Sequence, residues 1–205
     1  MLKRILSIVS KEVTMRIAIT GSMGSGKSTV ARLIREMGYI VKDSDRIANE
    51  HLESDCVKSD LIKHYGERIL TSDNTIDKAY LASRIFHHPD EKKHLEDLLY
   101  PYVYAVLTAR SDNKLEFSEV PLLFESNGEH YFDEVWVVIS DEAKMIERLK
   151  KDRHYTDEMI HERLIHQMSQ HDKALLADVI IDNNEDIEHL KEQINKQLDR
   201  ILKNL

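Results

Sequence analysis

Gly21-Ser22-Met23-Gly24-Ser25-Gly26-Lys27-Ser28-Thr29 is the stretch that decides the fold. Its first eight residues fit G-x-x-x-x-G-K-[ST], a loop whose small residues let successive backbone N–H groups turn inward around phosphate oxygens. The β-branched run Arg16–Thr20 precedes it and a helical pattern over Ser28–Met37 follows. That helix aims the positive end of its dipole at the loop. By average residue usage four fixed matches arise at about 4 × 10⁻⁵ per start, or about 1% over a chain of this length, before the strand and helix are required. The chemistry then assigns roles. Lys27 bridges the β- and γ-phosphates, Ser28 offers its hydroxyl to Mg²⁺, and Thr29 adds an α-phosphate contact. A loop of this kind implies a nucleotide but does not name a reaction.

Outward from the loop, the runs Tyr39–Lys42, Leu115–Val120, Val135–Ile139 and Val179–Asp182 are short, β-branched and bounded by polar residues or glycine, so they read as four more buried strands. Helical patterns lie between them: Asp141–Asp152, then Thr156–Ser169 with Ile160, Leu164 and Met168 on one face. A closing helix carries the seam Ile187, Leu190, Ile194, Leu198 and Ile201. Alternating strand and helix predict a parallel sheet covered on both faces. Residues 44–111 are too long for a simple crossover and predict a helical insertion. Pro89-Asp90-Glu91 starts a helix there, and Leu95, Leu98, Leu99, Tyr102, Val103 and Val106 keep helical spacing across a kink at Pro101. The organisation expected is one domain over 15–205, with a core in 15–43, 112–140 and 174–205, an insertion over about 44–111 and a lid region over about 141–173. Residues 1–14 read as a frayed extension, with Met15 an alternative start.

Composition bounds the partners. The 205 residues are 41% hydrophobic and 32% charged, with 29 Lys and Arg against 37 Asp and Glu for a net charge of −8. Broad electrostatic capture of nucleic acid or an acidic membrane is disfavoured, so an anionic ligand must be held locally. Cys56 is the only cysteine, which excludes an intrachain disulfide and a multi-thiolate zinc site and fits a reducing cytoplasm. The apolar patch Ile5–Val9 is too short for a secretory core, and no run reaches the ~20 apolar residues of a spanning helix. His161 and His166 are five apart, roughly 140° around a helix, and do not bind one metal ion together. Asn195-Lys196-Gln197-Leu198-Asp199 is one residue too long for a guanine-reading motif. Trp136 and Tyr131 read as packing residues.

Two further segments carry chemistry. A helix over Gly26–Met37 runs about 18 Å away from the phosphates at ~1.5 Å per residue, and Tyr39–Lys42 returns about 13 Å at ~3.3 Å per residue. Asp43-Ser44-Asp45 is thereby expected at the carboxyl edge of the sheet, where open α/β sheets bind ligands. One of these two carboxylates is expected to cap the next helix and the other to accept a hydroxyl proton as the γ-phosphoryl group departs. The run Arg148-Leu149-Lys150-Lys151-Asp152-Arg153-His154 reads as a basic hairpin between two helices that closes over a triphosphate, with Arg148 as its leading cation.

Together these motifs resemble the dephospho-CoA kinase family, from Met15 to about Leu198. The resemblance rests on Gly21–Thr29, Asp43-Ser44-Asp45, Arg84-Ile85-Phe86, Val120-Pro121-Leu122-Leu123-Phe124-Glu125, Arg163 with Gln167, and Ala177-Asp178-Val179-Ile180-Ile181-Asp182-Asn183. It implies a P-loop NTPase three-layer α/β fold of the nucleoside-monophosphate-kinase type, with a five-stranded parallel sheet, a helical substrate-binding insertion and a lid. It implies Mg²⁺- and ATP-dependent phosphorylation of the ribose 3′-hydroxyl of dephospho-CoA to give CoA and ADP, the last step of coenzyme A biosynthesis. By the same resemblance Asp45 is the general base, Arg148 a lid arginine, Asn183 a residue near the adenine, and Arg84, Arg163 and Arg153 further candidates. Glu119, at the end of the third strand, is a candidate to help hold Mg²⁺ through water. The chain differs from the family pattern at Tyr100-Pro101, where His-Pro is usual, at Asp152-Arg153, which reverses an Arg-Asp pair, and at His171, while Lys173 keeps its place. The residues alone also suit a kinase for another small hydroxyl acceptor, or a nucleotide-gated binding protein.

Overall fold

The computed structural model describes residues 14–205. The expected N-terminal extension therefore lies outside the described residues, save Thr14, which is buried and donates its hydroxyl to the carbonyl of Ser111 at 3.2 Å. The chain divides into two compact units: the residues up to Lys42 together with Arg110–Leu205, and Asp43–Ala109.

The first unit is organised by a five-stranded sheet built from β1 (Met15–Thr20), β2 (Ile40–Asp43), β3 (Leu115–Glu119), β4 (Glu134–Ile139) and β5 (Val179–Asp182), in the order β2-β3-β1-β4-β5. β1 sits between β3 and β4, parallel to both, with Ile17 opposite Phe117 on one side and Glu134 on the other. β4 and β5 are also parallel. The central strand β1 and its neighbour β4 are buried along most of their length and are rich in apolar residues, while the edge strands β2 and β5 leave Ile40 and Ile180 exposed. Helices α1 (Lys27–Glu36) and α9 (Ile187–Leu202) join one core with the sheet, in which Val30, Leu33 and Ile34 pack with Ile17, Phe117, Trp136, Leu190 and Ile194. Trp136 is fully buried and edge-on to Phe117 at 5.4 Å between ring centroids. Tyr131, by contrast, is 41% exposed. Ile187, expected in the apolar seam, is also 41% exposed: it opens α9 directly after the Asp186 cap, and the buried seam starts at Leu190.

Two helical expectations need correction. The basic run is not a hairpin. All of it but His154, the C-cap, lies inside α6 (Glu142–Arg153), capped at its start by Asp141, and its cations fall in the last turns, where they complement the helix dipole. The helix expected over Thr156–Ser169 stops early: α7 spans Asp157–Leu164, and Ser169 caps a separate α8, Gln170–Leu175. Residues between them give their backbone and side chains to tertiary partners described below, and that competes with helix propagation.

The second unit holds α2 (Ser44–His51), α3 (Asp55–Tyr65), α4 (Lys78–His87) and α5 (Pro89–Leu107). Leu52, Val57, Leu61, Ile69, Leu81 and Leu99 form its core. Pro89 opens α5, where a missing N–H costs nothing, and the helix runs on through Pro101, which removes one internal donor. Among the described residues no helix is long and apolar enough to cross a membrane.

Candidate active site

The loop after β1 is shaped by two glycines that admit no side chain. At Gly21 (φ +150°) a Cβ would meet the carbonyl oxygen of Val138 at 2.4 Å, and at Gly26 (φ +100°) it would meet Nδ2 of Asn183 at 2.0 Å. Gly26 is also the left-handed cap from which α1 begins. Lys27 is buried, and its Nζ donates to the carbonyls of Gly21 at 2.8 Å and Ser22 at 3.0 Å, so the ammonium is held across the mouth of the loop. Ser22 and Ser25 are buried, while Met23, Gly24 and Thr29 are partly exposed. Ser28, exposed at the start of α1, donates its hydroxyl to Oε1 of the buried Glu119 at 2.8 Å. A hydroxyl and a carboxylate at the exit of a phosphate loop are the hard oxygen donors that suit Mg²⁺, which needs one or two protein groups and takes the rest from phosphates and water.

Behind the loop the strand ends are tied together. Arg148 lies well inside α6, and its guanidinium donates through Nη1 to Gly24 O (3.3 Å) and Ser140 Oγ (3.1 Å) and through Nη2 to Asn183 O (3.1 Å). Asn183, just past β5, donates its side-chain amide to the carbonyl of Ser25 at 2.7 Å. Ser140, just past β4, donates its hydroxyl to Asn183 O at 3.1 Å. The side-chain amide of Gln170 closes both backbone groups of Ser140, accepting from its N–H and donating to its carbonyl at 2.9 Å each. Arg153 is exposed in the last turn of α6, and Arg163 lies over the Tyr155 ring at 4.8 Å; neither enters this network.

Sequence reasoning overlooked Ser140 and Gln170. Ser140 had a signal: it directly follows an apolar strand at the ligand-binding edge of an α/β sheet. Gln170 had none.

In the second unit the acidic pair separates by role. Asp43 caps α2, its carboxylate accepting from the Arg46 backbone N–H at 3.0 Å, whereas Asp45 is exposed in the first turn. Asp45 lines a groove of about 300 Å³ with Asn49, Lys78, Leu81, Ile85 and Leu99. Asn49 links its polar side, donating to the carbonyl of Asp45 at 2.9 Å and accepting from Lys78 Nζ at 3.2 Å. The groove is thus mostly apolar, with one carboxylate and one ammonium. Arg84 makes an ion pair with Glu91 through both Nε and Nη2. Burial, reinforced by the negative charge of Glu91, pushes the Tyr65 hydroxyl up to about 12. Tyr100 donates its hydroxyl to Glu96 at 3.1 Å.

With this geometry in hand, comparison with known proteins is informative. The sequence profile of the dephospho-CoA kinase family matches residues 15–189. A dephospho-CoA kinase of Streptococcus agalactiae is 35% identical over 92% of this chain and 100% of its own length. One of Oceanobacillus iheyensis is 34% identical over 92% and 98%. A solved Thermus thermophilus structure superposes with a TM-score of 0.79 at 29% identity, covering 94% of this chain and 98% of that one. A shikimate kinase from Acinetobacter baumannii shares the fold at a TM-score of 0.56 and 17% identity, covering 94% and 96%. Five strands in one sheet, a glycine-shaped phosphate loop and a profile match along most of the chain lead to one conclusion: the chain belongs to the dephospho-CoA kinase family, a group of nucleotide-using P-loop kinases.

Proposed function

We propose that this protein transfers the γ-phosphoryl group of ATP to the ribose 3′-hydroxyl of dephospho-CoA, releasing CoA and ADP in the final step of coenzyme A synthesis, and that it does so in the cytoplasm. The observation that carries the reading is the family match over residues 15–189 falling on a fully shaped phosphate loop.

The loop supplies most of the catalysis. Phosphoryl transfer asks for positioning and charge neutralisation rather than covalent help from the protein. The phosphates are received by the start of α1 and by backbone N–H groups of the loop other than those of Met23, Ser25 and Thr29, which bond Gln167, Ser22 and Gly26. Lys27 exchanges two carbonyl partners for β- and γ-phosphate oxygens, a charge-assisted gain over neutral acceptors. Ser28 and Glu119 would hold Mg²⁺, Glu119 through water, and the ion would supply charge neutralisation to the phosphates. Arg148, joined to Gly24 and Asn183, adds a fixed positive charge and holds the strand end assigned to the adenine.

Asp45 is assigned as general base. Its neighbour Asp43 is already spent on the α2 cap, and Asp45 alone of the pair lines a groove. Its carboxylate takes the 3′-hydroxyl proton, the freed oxygen bonds to the γ-phosphorus, and the bond from that phosphorus to the bridging β–γ oxygen breaks, leaving ADP. The apolar floor of Leu81 and Leu99 with Lys78 suits an acceptor that offers both carbon surface and phosphate charge.

The test is product identification: incubation with ATP, Mg²⁺ and dephospho-CoA should yield CoA carrying a new 3′-phosphate by mass spectrometry. ATP turnover that ignores the acceptor would instead support a nucleotide-gated binding protein. Transfer only to other alcohols would reassign the substrate.

A further inference from the structure

The connector between α7 and α8 is fastened at several points within the first unit. Gln167 Oε1 accepts from the backbone N–H of Met23, at the tip of the phosphate loop, at 3.1 Å. The next residue, Met168, donates its N–H to Glu125 Oε1 at 2.8 Å. Glu125 is in turn paired with Lys173, whose Nζ lies 2.9 Å from Oε1 and also donates to Pro121 O at 3.0 Å. Lys173 has no exposed surface at all. A lysine so placed is expensive: burial draws its ammonium down from the ordinary range, opposed by Glu125. Replacing a buried pair by apolar groups is often neutral or stabilising, so fold stability alone gives little reason for one here.

A reason appears when the contacts are followed in order. Lys173 holds Glu125, Glu125 fixes the backbone at Met168, and that sets where the adjacent Gln167 presents its amide oxygen. That oxygen holds the loop tip at Met23, as Arg148 does at the carbonyl of Gly24. The N–H of Met23 points to a side chain, and not to a carbonyl of its own loop, so the tip depends on a residue 144 positions away. Sub-ångström placement of groups around a transferring phosphoryl is worth orders of magnitude in rate.

We propose that Gln167 and the Glu125–Lys173 pair are positioning residues for nucleotide use: they set the tip of the phosphate loop and act on ATP only through it. The proposal deepens the kinase reading above and rests on it for the turnover measurements, but not for the binding ones.

The experiment compares the full-length wild-type protein with Gln167→Leu, Gln167→Glu, and the double variant Lys173→Met with Glu125→Gln, which removes both charges together. Calorimetry with a non-hydrolysable ATP analogue and Mg²⁺ gives affinity, steady-state kinetics give kcat and both KM values, and thermal unfolding gives Tm. Gln167→Leu should weaken analogue binding and lower kcat/KM for ATP by about tenfold, the scale of one well-placed hydrogen bond, with Tm and the acceptor KM nearly unchanged. Gln167→Glu, which keeps an acceptor oxygen, should recover most of that loss. The double variant should keep its Tm and show the same ATP defect, and adding Gln167→Leu to it should cost little more. Wild-type ATP binding and kinetics in the double variant, or losses that simply add in the triple variant, would overturn the proposal. If wild type binds the analogue yet leaves dephospho-CoA unmodified, the assigned reaction fails while the binding comparison still decides this one.

Discussion

The two units reach their working geometry by different means. In the first, the phosphate loop is framed by directed polar contacts: Lys27, Arg148, Gln167, Asn183 and the Ser28–Glu119 pair each bond a specific atom. In the second, an apolar cluster around Leu61, Leu81 and Leu99 shapes a groove, and most of its helix-surface ion pairs, such as Arg46–Glu50 and Lys93–Asp97, are exposed and worth about 0–1 kcal/mol each. A phosphate chain is the same in every nucleotide and can be met by fixed donors. An extended acceptor with an adenine, a diphosphate and a pantetheine arm is met over a larger area, which in this groove is mostly apolar. Nucleotide recognition should therefore be brittle to single atoms, and acceptor recognition graded with packing.

The largest effect expected is at the boundary between these behaviours. Asp45→Asn should lower kcat by about 10²-fold or more while ATP-analogue affinity in calorimetry stays unchanged, the signature of a lost general base. Loss of ATP affinity instead would move Asp45 out of acceptor chemistry. Next comes Gly26→Ala. The added methyl meets the Asn183 amide in a left-handed backbone conformation, so strain and clash should cost ATP affinity about 10- to 100-fold, with little effect on the acceptor KM. Near-normal ATP binding would show the loop to be more plastic than its contacts imply.

On the acceptor side, Leu81→Ala should destabilise the protein by about 2–4 kcal/mol as a core truncation. It should also raise the dephospho-CoA KM, since Leu81 is both core and groove wall, and spare ATP affinity. The smallest effect is a pH dependence. Tyr65 has its pKa raised in the fold from 10.0 to about 12, chiefly by burial and then by Glu91. Its stabilising contribution is fully present below the unfolded value near 10 and is lost as pH climbs through about 12. Thermal unfolding followed between pH 9 and 12 should show wild type losing stability more steeply than Tyr65→Phe. Parallel curves would remove Tyr65 from the alkaline limb.

How legible this was follows the same division. The strands could be read because each is a short run rich in β-branched and apolar residues bounded by polar residues or glycine, and the loop because its glycines are forced by φ and by close approach. Asp43 and Asp45 were recognisable as a pair, but which one caps became clear only from the bond to Arg46. Arg148 was singled out as a cation on a hairpin. The run is helical because Asp141 starts α6 and the buried Met145 and Leu149 carry it on, as the pattern over Asp141–Asp152 predicts; the hairpin reading overlapped that helix and gives way to it. α7 was drawn too long because helical spacing at Met168 outlasts the helix, whose end is set by bonds to Met23 and Glu125 more than forty residues away in sequence. Local pattern cannot report such contacts. The groove was the least legible part, since Leu81, Ile85 and Leu99 look like any core leucines and isoleucines until the helices are folded.

The central claim is that a hydroxyl acceptor and the nucleotide meet in one transfer reaction. Release of ADP from ATP and Mg²⁺, measured with and without dephospho-CoA in wild type and in Asp45→Asn, tests it most directly. The account predicts that wild-type release is negligible alone and rises strongly with dephospho-CoA, and that Asp45→Asn abolishes the rise. Equal ADP release with and without the acceptor, or full stimulation in Asp45→Asn, would contradict it.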